Sequence, residues 1–487
     1  MSLRQQAVRG VFWSSVQNWG SSLLTTAVTL VLARRLGPAA FGQIALASAV
    51  TAFLGIFVSQ GFGQAIVQRA KLGPGHLDTA FWMNVVGGVV MCGLTLLLAE
   101  PLAILLDQET LAPLLRWLSL GFILGGLGAT QGAILRRHMD FKSLALRKLL
   151  AAAAGSAVGI AMALSGCGVW SLVAQNLVST AVGTVALWTV SNWRPGSRVS
   201  RRHARDLLAF GLHVVGMEVL QVANRRGPIL VVGYFLGPVA LGYYSVAMGL
   251  LTTLFRILTE NASTVMLPTL SRLQGNRDQM RHAFHTATRL TSLIAFPAFI
   301  GLFGVAPELV HVVLGAKWAN SVPVMEILSL AGIAFSVFYF NTPILMAHGK
   351  ASWAFWLSAL NTITSILVPL IVVRWGIVVV AAAFVLRAYL TGPLCLVLVD
   401  RLLGLDWRHY LRQYTFPLTG SLVMLAVVLL CKFTLYDRVS LRWLLLLSTG
   451  TGALTYVLFV RYAAPHLLRE VFEFIRLAIP FGSREKA

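Results

Sequence analysis

Apolar runs of about 20 residues recur along the whole chain, separated by short polar breaks that hold most of the charge. A run of that length, wound as a helix rising 1.5 Å per residue, crosses about 30 Å of hydrocarbon. The runs do not alternate apolar with polar at period two, which excludes the strand pattern of a membrane barrel. The pattern predicts an all-α polytopic membrane protein with about fourteen transmembrane helices. Their expected limits are 11–35, 39–63, 79–99, 112–135, 143–165, 168–190, 207–236, 239–268, 286–306, 321–346, 351–373, 376–399, 414–434 and 441–462. The breaks are too short to hold an extramembrane catalytic domain. A last stretch from Pro465 to Phe481 sets Leu467, Leu468, Val471, Phe472 and Ile475 against Arg469, Glu470, Glu473 and Arg476. That pattern predicts an amphipathic helix at the membrane surface or packed on neighbouring loops.

Composition agrees. Of 487 residues, 57% are hydrophobic and 11% charged, against about 25% charged in soluble proteins. The net charge of +22 would raise nucleic acid as a partner for a soluble chain. Here its distribution gives another reason. With a cytoplasmic N-terminus and fourteen crossings, and with Arg34, Arg35, Arg147, Lys148, Lys432, Arg442 and Arg461 near span ends counted with the adjoining segment, 26 Lys and Arg fall in cytoplasmic segments, 7 in outer loops and 6 within spans. That asymmetry is the positive-inside rule, and it predicts a multi-pass inner-membrane protein with both termini cytoplasmic and no nucleic-acid partner. The cysteines Cys92, Cys167, Cys395 and Cys431 are scattered, which offers neither a metal site nor a redox pair. The first apolar run is too long for a signal-peptide core, so it reads as an uncleaved first helix. The ten histidines are dispersed; His138, His203, His282 and His285 lie in basic loops and read as solvated.

An internal repeat organises the spans. Leu36-Gly37-Pro38-Ala39-Ala40-Phe41-Gly42 recurs 200 residues later as Leu236-Gly237-Pro238-Val239-Ala240-Leu241-Gly242. Each copy falls between the first and second spans of a six-span block, where Gly-Pro suits a tight turn that restarts a helix. The expected architecture is two six-helix lobes related by a parallel repeat, 1–200 and 201–400. Residues 401–487 add two helices and the tail. Two such lobes enclose a cavity and rock around it, which points to transport.

Ionisable residues inside spans are costly and are candidate functional groups. The first lobe is nearly free of them, with Arg116 close to a span end. The second carries Glu218, Arg225 and Arg226 in the seventh span, Arg256 and Glu260 in the eighth, Arg289 in the ninth and Arg387 in the twelfth. Glu218, Gln221 and Arg225 share a helix face, and Gly227-Pro228 is expected to bend that helix. Asn261 follows Glu260. The first span offers a polar stripe of Ser14, Gln17, Asn18, Ser21 and Thr25. Arg forms bidentate bonds to phosphate, so Arg225, Arg226 and Arg256 are the candidate substrate residues for a phosphate or diphosphate. Glu218, Gln221, Glu260, Asn261, Gln17, Asn18, Thr25 and Arg289 are candidate cavity-lining or ion-coupling groups. The structural reading pairs Arg256 with Glu260 and lets Arg289 and Arg387 snorkel to an interface. No P-loop, G-x-S-x-G or H-E-x-x-H pattern occurs, so no cofactor is expected beyond coupling to an H⁺ or Na⁺ gradient.

Several stretches carry a family likeness. They include Ala33-Arg34-Arg35-Leu36-Gly37-Pro38 with Phe41-Gly42, Gly61-Phe62-Gly63-Gln64-Ala65-Ile66-Val67-Gln68, and Arg136-Arg137-His138-Met139-Asp140-Phe141-Lys142. Others are Gly168-Val169-Trp170-Ser171-Leu172-Val173-Ala174-Gln175, Leu267-Pro268-Thr269-Leu270-Ser271-Arg272-Leu273 and Lys317-Trp318. In their order and spacing across residues 5–400, the chain resembles the polysaccharide exporters of the MOP flippase superfamily, close to the Wzx-type flippases. The resemblance implies two six-helix lobes with two extra helices. It also implies transport of undecaprenyl-diphosphate-linked oligosaccharide from the inner to the outer leaflet. The unit carried would be one of O-antigen, capsule or exopolysaccharide, with membrane lipid and other glycan-assembly proteins as partners. Many relatives place an acidic residue near the position of Arg225, so Arg225-Arg226 departs from the family in favour of an anion. Murein-precursor and cationic-drug transporters of the same superfamily, a membrane polymerase, ligase or glycosyltransferase, and a structural scaffold are the alternatives. Excess arginine disfavours the drug exporter, and the short outer loops disfavour the enzyme.

Overall fold

The computed structural model describes residues 3–59, 61–69, 73–260 and 276–465, with the side chains of 3–19, 59, 74, 207–210, 212–214, 260 and 409 outside that description. Among the described residues every regular element is helical. Helices α1 (Leu3–Leu36), α2 (Pro38–Ser59), α3 (Phe62–Gln68), α4 (Pro74–Leu105), α5 (Leu111–Arg137), α6 (Phe141–Leu164) and α7 (Trp170–Val190) are followed by a long α8 (Arg201–Phe255). Then come α9 (Arg277–Leu309), α10 (Val322–Phe338), α11 (Asn341–Ala347), α12 (Ala351–Val372), α13 (Ile377–Leu403), α14 (Trp407–Leu435) and α15 (Leu441–Ala463). Twelve helical stretches among the described residues are long and apolar enough to cross a membrane. One of them, 215–259, contains the non-helical Gly237 that joins two helices within α8. The amphipathic stretch expected after Pro465 lies outside the described residues.

The chain divides into two compact units, Met1–Gly242 and Tyr243–Ala487. In the first, α4 packs along α5, α6 along α7, and α1 along α6. Small residues set these distances, as expected where lipid gives helices no hydrophobic reason to associate. A Cβ at Gly88 would come within 2.6 Å of the Phe122 carbonyl oxygen, and one at Gly126 within 2.6 Å of that of Asn84. Polar groups cross the same seam: Asn84 Nδ2 donates to Thr130 Oγ1 at 3.3 Å. At one end of this unit, Asp78 accepts from the Gly196 amide at 3.0 Å and Arg69 pairs with Asp206 at 3.1 Å. There the His203 ring lies 3.8 Å from that of His76, so His203 is packed rather than merely solvated.

In the second unit α9 packs on α10 and α14, α10 on α13, and α14 on α15. The core holds Phe284, Phe299, Trp318, Phe340 and Tyr410, all fully buried. A buried ion pair closes it: Lys432 Nζ of α14 lies 2.8 Å from Glu308 Oε1 of α9 and donates to the Gly304 carbonyl at 3.0 Å.

The two copies of the repeat have matching turns. Gly37 has φ 84° and Gly237 φ 78°, and a helix continues from the proline that follows each. Pro228, where a bend is expected, lies inside α8, and the non-helical dihedrals in α8 occur at Gly237. Pro228 removes one hydrogen bond, whereas the positive φ of Gly237 takes the chain out of the helix altogether.

Candidate functional site

The candidate residues fall into both units. Glu218, Gln221, Arg225 and Arg226 lie on the part of α8 that belongs to the first unit. Gln221 and Arg225 are exposed, Glu218 and Arg226 half-buried. Among the described residues neither arginine forms an ion pair with a carboxylate. Two adjacent cations in an apolar span, with no carboxylate paired to them among the described residues, carry positive charge that can attract an anion. On α1, Thr25 is exposed and returns its hydroxyl to the Ser21 carbonyl at 2.6 Å, while Ser21 is buried. Gln17 and Asn18 sit on α1, with side chains outside the description.

In the second unit Arg256 is exposed at the start of a π-helical turn, Arg256–Glu260. The Glu260 side chain and Asn261 lie outside the described residues. Arg387 sits ten residues into α13, and Nη1 donates to the Asn361 carbonyl at 3.3 Å and to Asn361 Oδ1 at 3.2 Å. Its guanidinium carbon lies 5.3 Å from the Phe384 ring centroid. It is held inside the unit by α12 and an aromatic face, not drawn out to an interface. Arg289 lines a cavity between α9 and α14 together with His282, His285 and Arg412, so these two histidines belong to a pocket.

Two polar features escaped the sequence reading. The Glu308–Lys432 pair joins positions remote in sequence, and nothing at either position announces the other. Gln131 is fully buried in α5, and its isolation in an apolar run was the available signal.

The fold is shared with solved flippase and transporter structures. The structure aligns with a lipid II flippase, MurJ, in an inward closed conformation at TM-score 0.77 and 16% identity, covering 93% of this chain and 99% of that one. It aligns with an inward-facing multidrug resistance MATE transporter at TM-score 0.64 and 15% identity, covering 79% and 94%. Among curated proteins the chain is similar to the succinoglycan biosynthesis transport protein ExoT of Rhizobium meliloti (strain 1021), 27% identical over 98% of both chains. It is 26% identical to the lipopolysaccharide biosynthesis protein WzxC of Escherichia coli (strain K12), over 88% of both. Fold and intramembrane charge together define a polytopic α-helical membrane protein. Residues 31–323 match the model of the polysaccharide biosynthesis protein family, and the chain belongs to that family.

Proposed function

We propose that this chain is a flippase that carries undecaprenyl-diphosphate-linked oligosaccharide from the inner to the outer leaflet of the bacterial cytoplasmic membrane. The observation that carries this reading is similarity along 98% of both chains to a protein named for polysaccharide transport, on a fold shared with a lipid II flippase. The chemistry agrees. A diphosphate entering a low-dielectric passage needs fixed cations, and Arg225 and Arg226 supply two whose planar forks match phosphate oxygens. Arg256 is a further exposed cation, on the second unit, and the exposed Gln221 and Thr25 offer hydrogen bonds to sugar hydroxyls. Two lobes of six helices rocking about the substrate give alternating access, and a gradient of H⁺ or Na⁺ supplies the driving force. Both termini are cytoplasmic in this reading, which the distribution of Lys and Arg supports.

Removing the chain from its host tests the reading. Lipid-linked oligosaccharide should accumulate on the inner leaflet while polymer export stops. Normal export in its absence, with no second flippase present, would contradict the assignment.

A further inference from the structure

The pocket between α9 and α14 is lined by residues of the second unit alone. It has a volume of about 220 Å³ and is partly open to the exterior. Its lining is His282, His285, Thr286, Arg289, Arg412 and Gln413. The first four follow i, i+3, i+4, i+7 and so share one face of α9; the other two come from α14.

The lining holds two arginines and two histidines and no carboxylate. The acidic residue at the start of α9, Asp278, is already paired with Arg281 at 2.6 Å. One wall is pre-set: Gln413 Nε2 donates to Thr288 Oγ1 at 3.3 Å, which turns its Oε1 towards His285 Nδ1 at 3.2 Å. The His285 ring is therefore held with Nδ1–H as donor to Gln413. Below the polar wall, Tyr410 stacks on Phe284 with centroids 5.7 Å apart, and Tyr414 packs on Phe296 at 6.1 Å. The basic lining, backed by this buried aromatic core, suits an anionic head group.

The length and composition of α9 and α14 suit a pocket at the depth of lipid head groups. Helix α9 has 33 residues, about 50 Å at 1.5 Å per residue, so it exceeds the ~30 Å hydrocarbon layer by several turns. Its polar start, Arg277 to Arg289, is the part that emerges. The facing end of α14 opens with Trp407, Arg408, Tyr410 and Arg412, the aromatic and basic composition of a membrane interface.

We propose that this pocket binds the phosphate of an anionic lipid head group, with Arg289 and Arg412 as its cationic clamp, and so fixes the two added helices to the second lobe through a lipid. Basic pockets between helices at this depth are suited to such head groups. The site is independent of the flipping reaction, and its test reads binding alone.

The experiment uses the full chain, purified in detergent, with native mass spectrometry and thermal unfolding as readouts. The probes are phosphatidylglycerol, polyprenyl phosphate, phosphatidylcholine and inorganic phosphate, each added to wild type, Arg412→Gln and Arg289→Gln. Arg412 is exposed, so its variant keeps the fold even where Arg289→Gln does not. The expected result is that at least one anionic lipid is retained and raises the unfolding temperature, and that Arg412→Gln weakens this about tenfold while Arg412→Lys restores part of it. Retention of phosphatidylglycerol identifies a resident phospholipid, and preference for polyprenyl phosphate identifies the carrier lipid. Equal retention by wild type and Arg412→Gln, equal retention of phosphatidylcholine, or equal stabilisation by inorganic phosphate would each overturn the proposal.

Discussion

Glu308 and Lys432 are the residues whose loss has the most predictable cost. Glu308 is 2% exposed, so a neutral residue at 432 would leave its carboxylate buried with no cation. Lys432→Met should therefore cost about 3–5 kcal/mol, read as a fall in thermal or denaturant stability of the purified protein. Changing both residues to Met removes the two buried charges together and should recover most of that loss. A Lys432→Met protein as stable as wild type would show that the pair contributes nothing. At this scale the sequence was legible only where partners are close along the chain. The adjacent cations Arg225 and Arg226 announce themselves in an apolar run. Arg387 did so too, but its partner Asn361 lies on another helix, so its placement had to come from packing. His282 and His285 looked solvated because the Arg412 and Gln413 that complete their pocket are remote in sequence.

The helices themselves were readable because lipid imposes a simple rule: each crossing must satisfy its own backbone hydrogen bonds and present apolar side chains. Junctions obey subtler chemistry. The run 321–346 reads as one span, yet α10 ends at Phe338 and α11 starts at Asn341. Pro343 explains the division, since it lacks an amide donor and crowds the residue before it. The repeated Leu-Gly-Pro turn carries a further contact that its sequence did not disclose. A Cβ on Gly42 would lie 1.7 Å from the Pro238 carbonyl oxygen, and one on Gly242 would lie 2.0 Å from that of Pro38. The two copies thus touch reciprocally, each glycine against the other's proline. Gly42→Val should disrupt this approach and cost at least ~1–3 kcal/mol, seen as reduced accumulation of folded protein. Gly93→Ala, with open space around its added methyl, is the control and should leave accumulation unchanged. Equal yields from both variants would refute the close contact.

For the whole molecule, the sequence conveyed the membrane class, the repeat and the bias of Lys and Arg, because all three are distributed along the chain. It did not convey where the compact units divide, since that depends on contacts between distant helices. The topology has a convenient reporter. Cys167 is exposed while Cys92 is buried, and Cys167 lies between α6 and α7 in a loop that fourteen crossings place outside. A membrane-impermeant maleimide should label it in intact spheroplasts, and Cys167→Ser should abolish that signal. Labelling of Cys167 that required permeabilisation would invert the topology.

In the proposed function, Arg225 and Arg226 engage the diphosphate of the lipid-linked saccharide as it is flipped. The most direct measurement is transport of a fluorescent polyprenyl-diphosphate oligosaccharide in reconstituted vesicles, comparing wild type with the Arg225→Gln/Arg226→Gln double variant. Wild type should transport the lipid and the variant should lose about a hundredfold, from the charge-assisted bonds removed, with the same unfolding temperature for both. Full-rate transport by a folded double variant would contradict it.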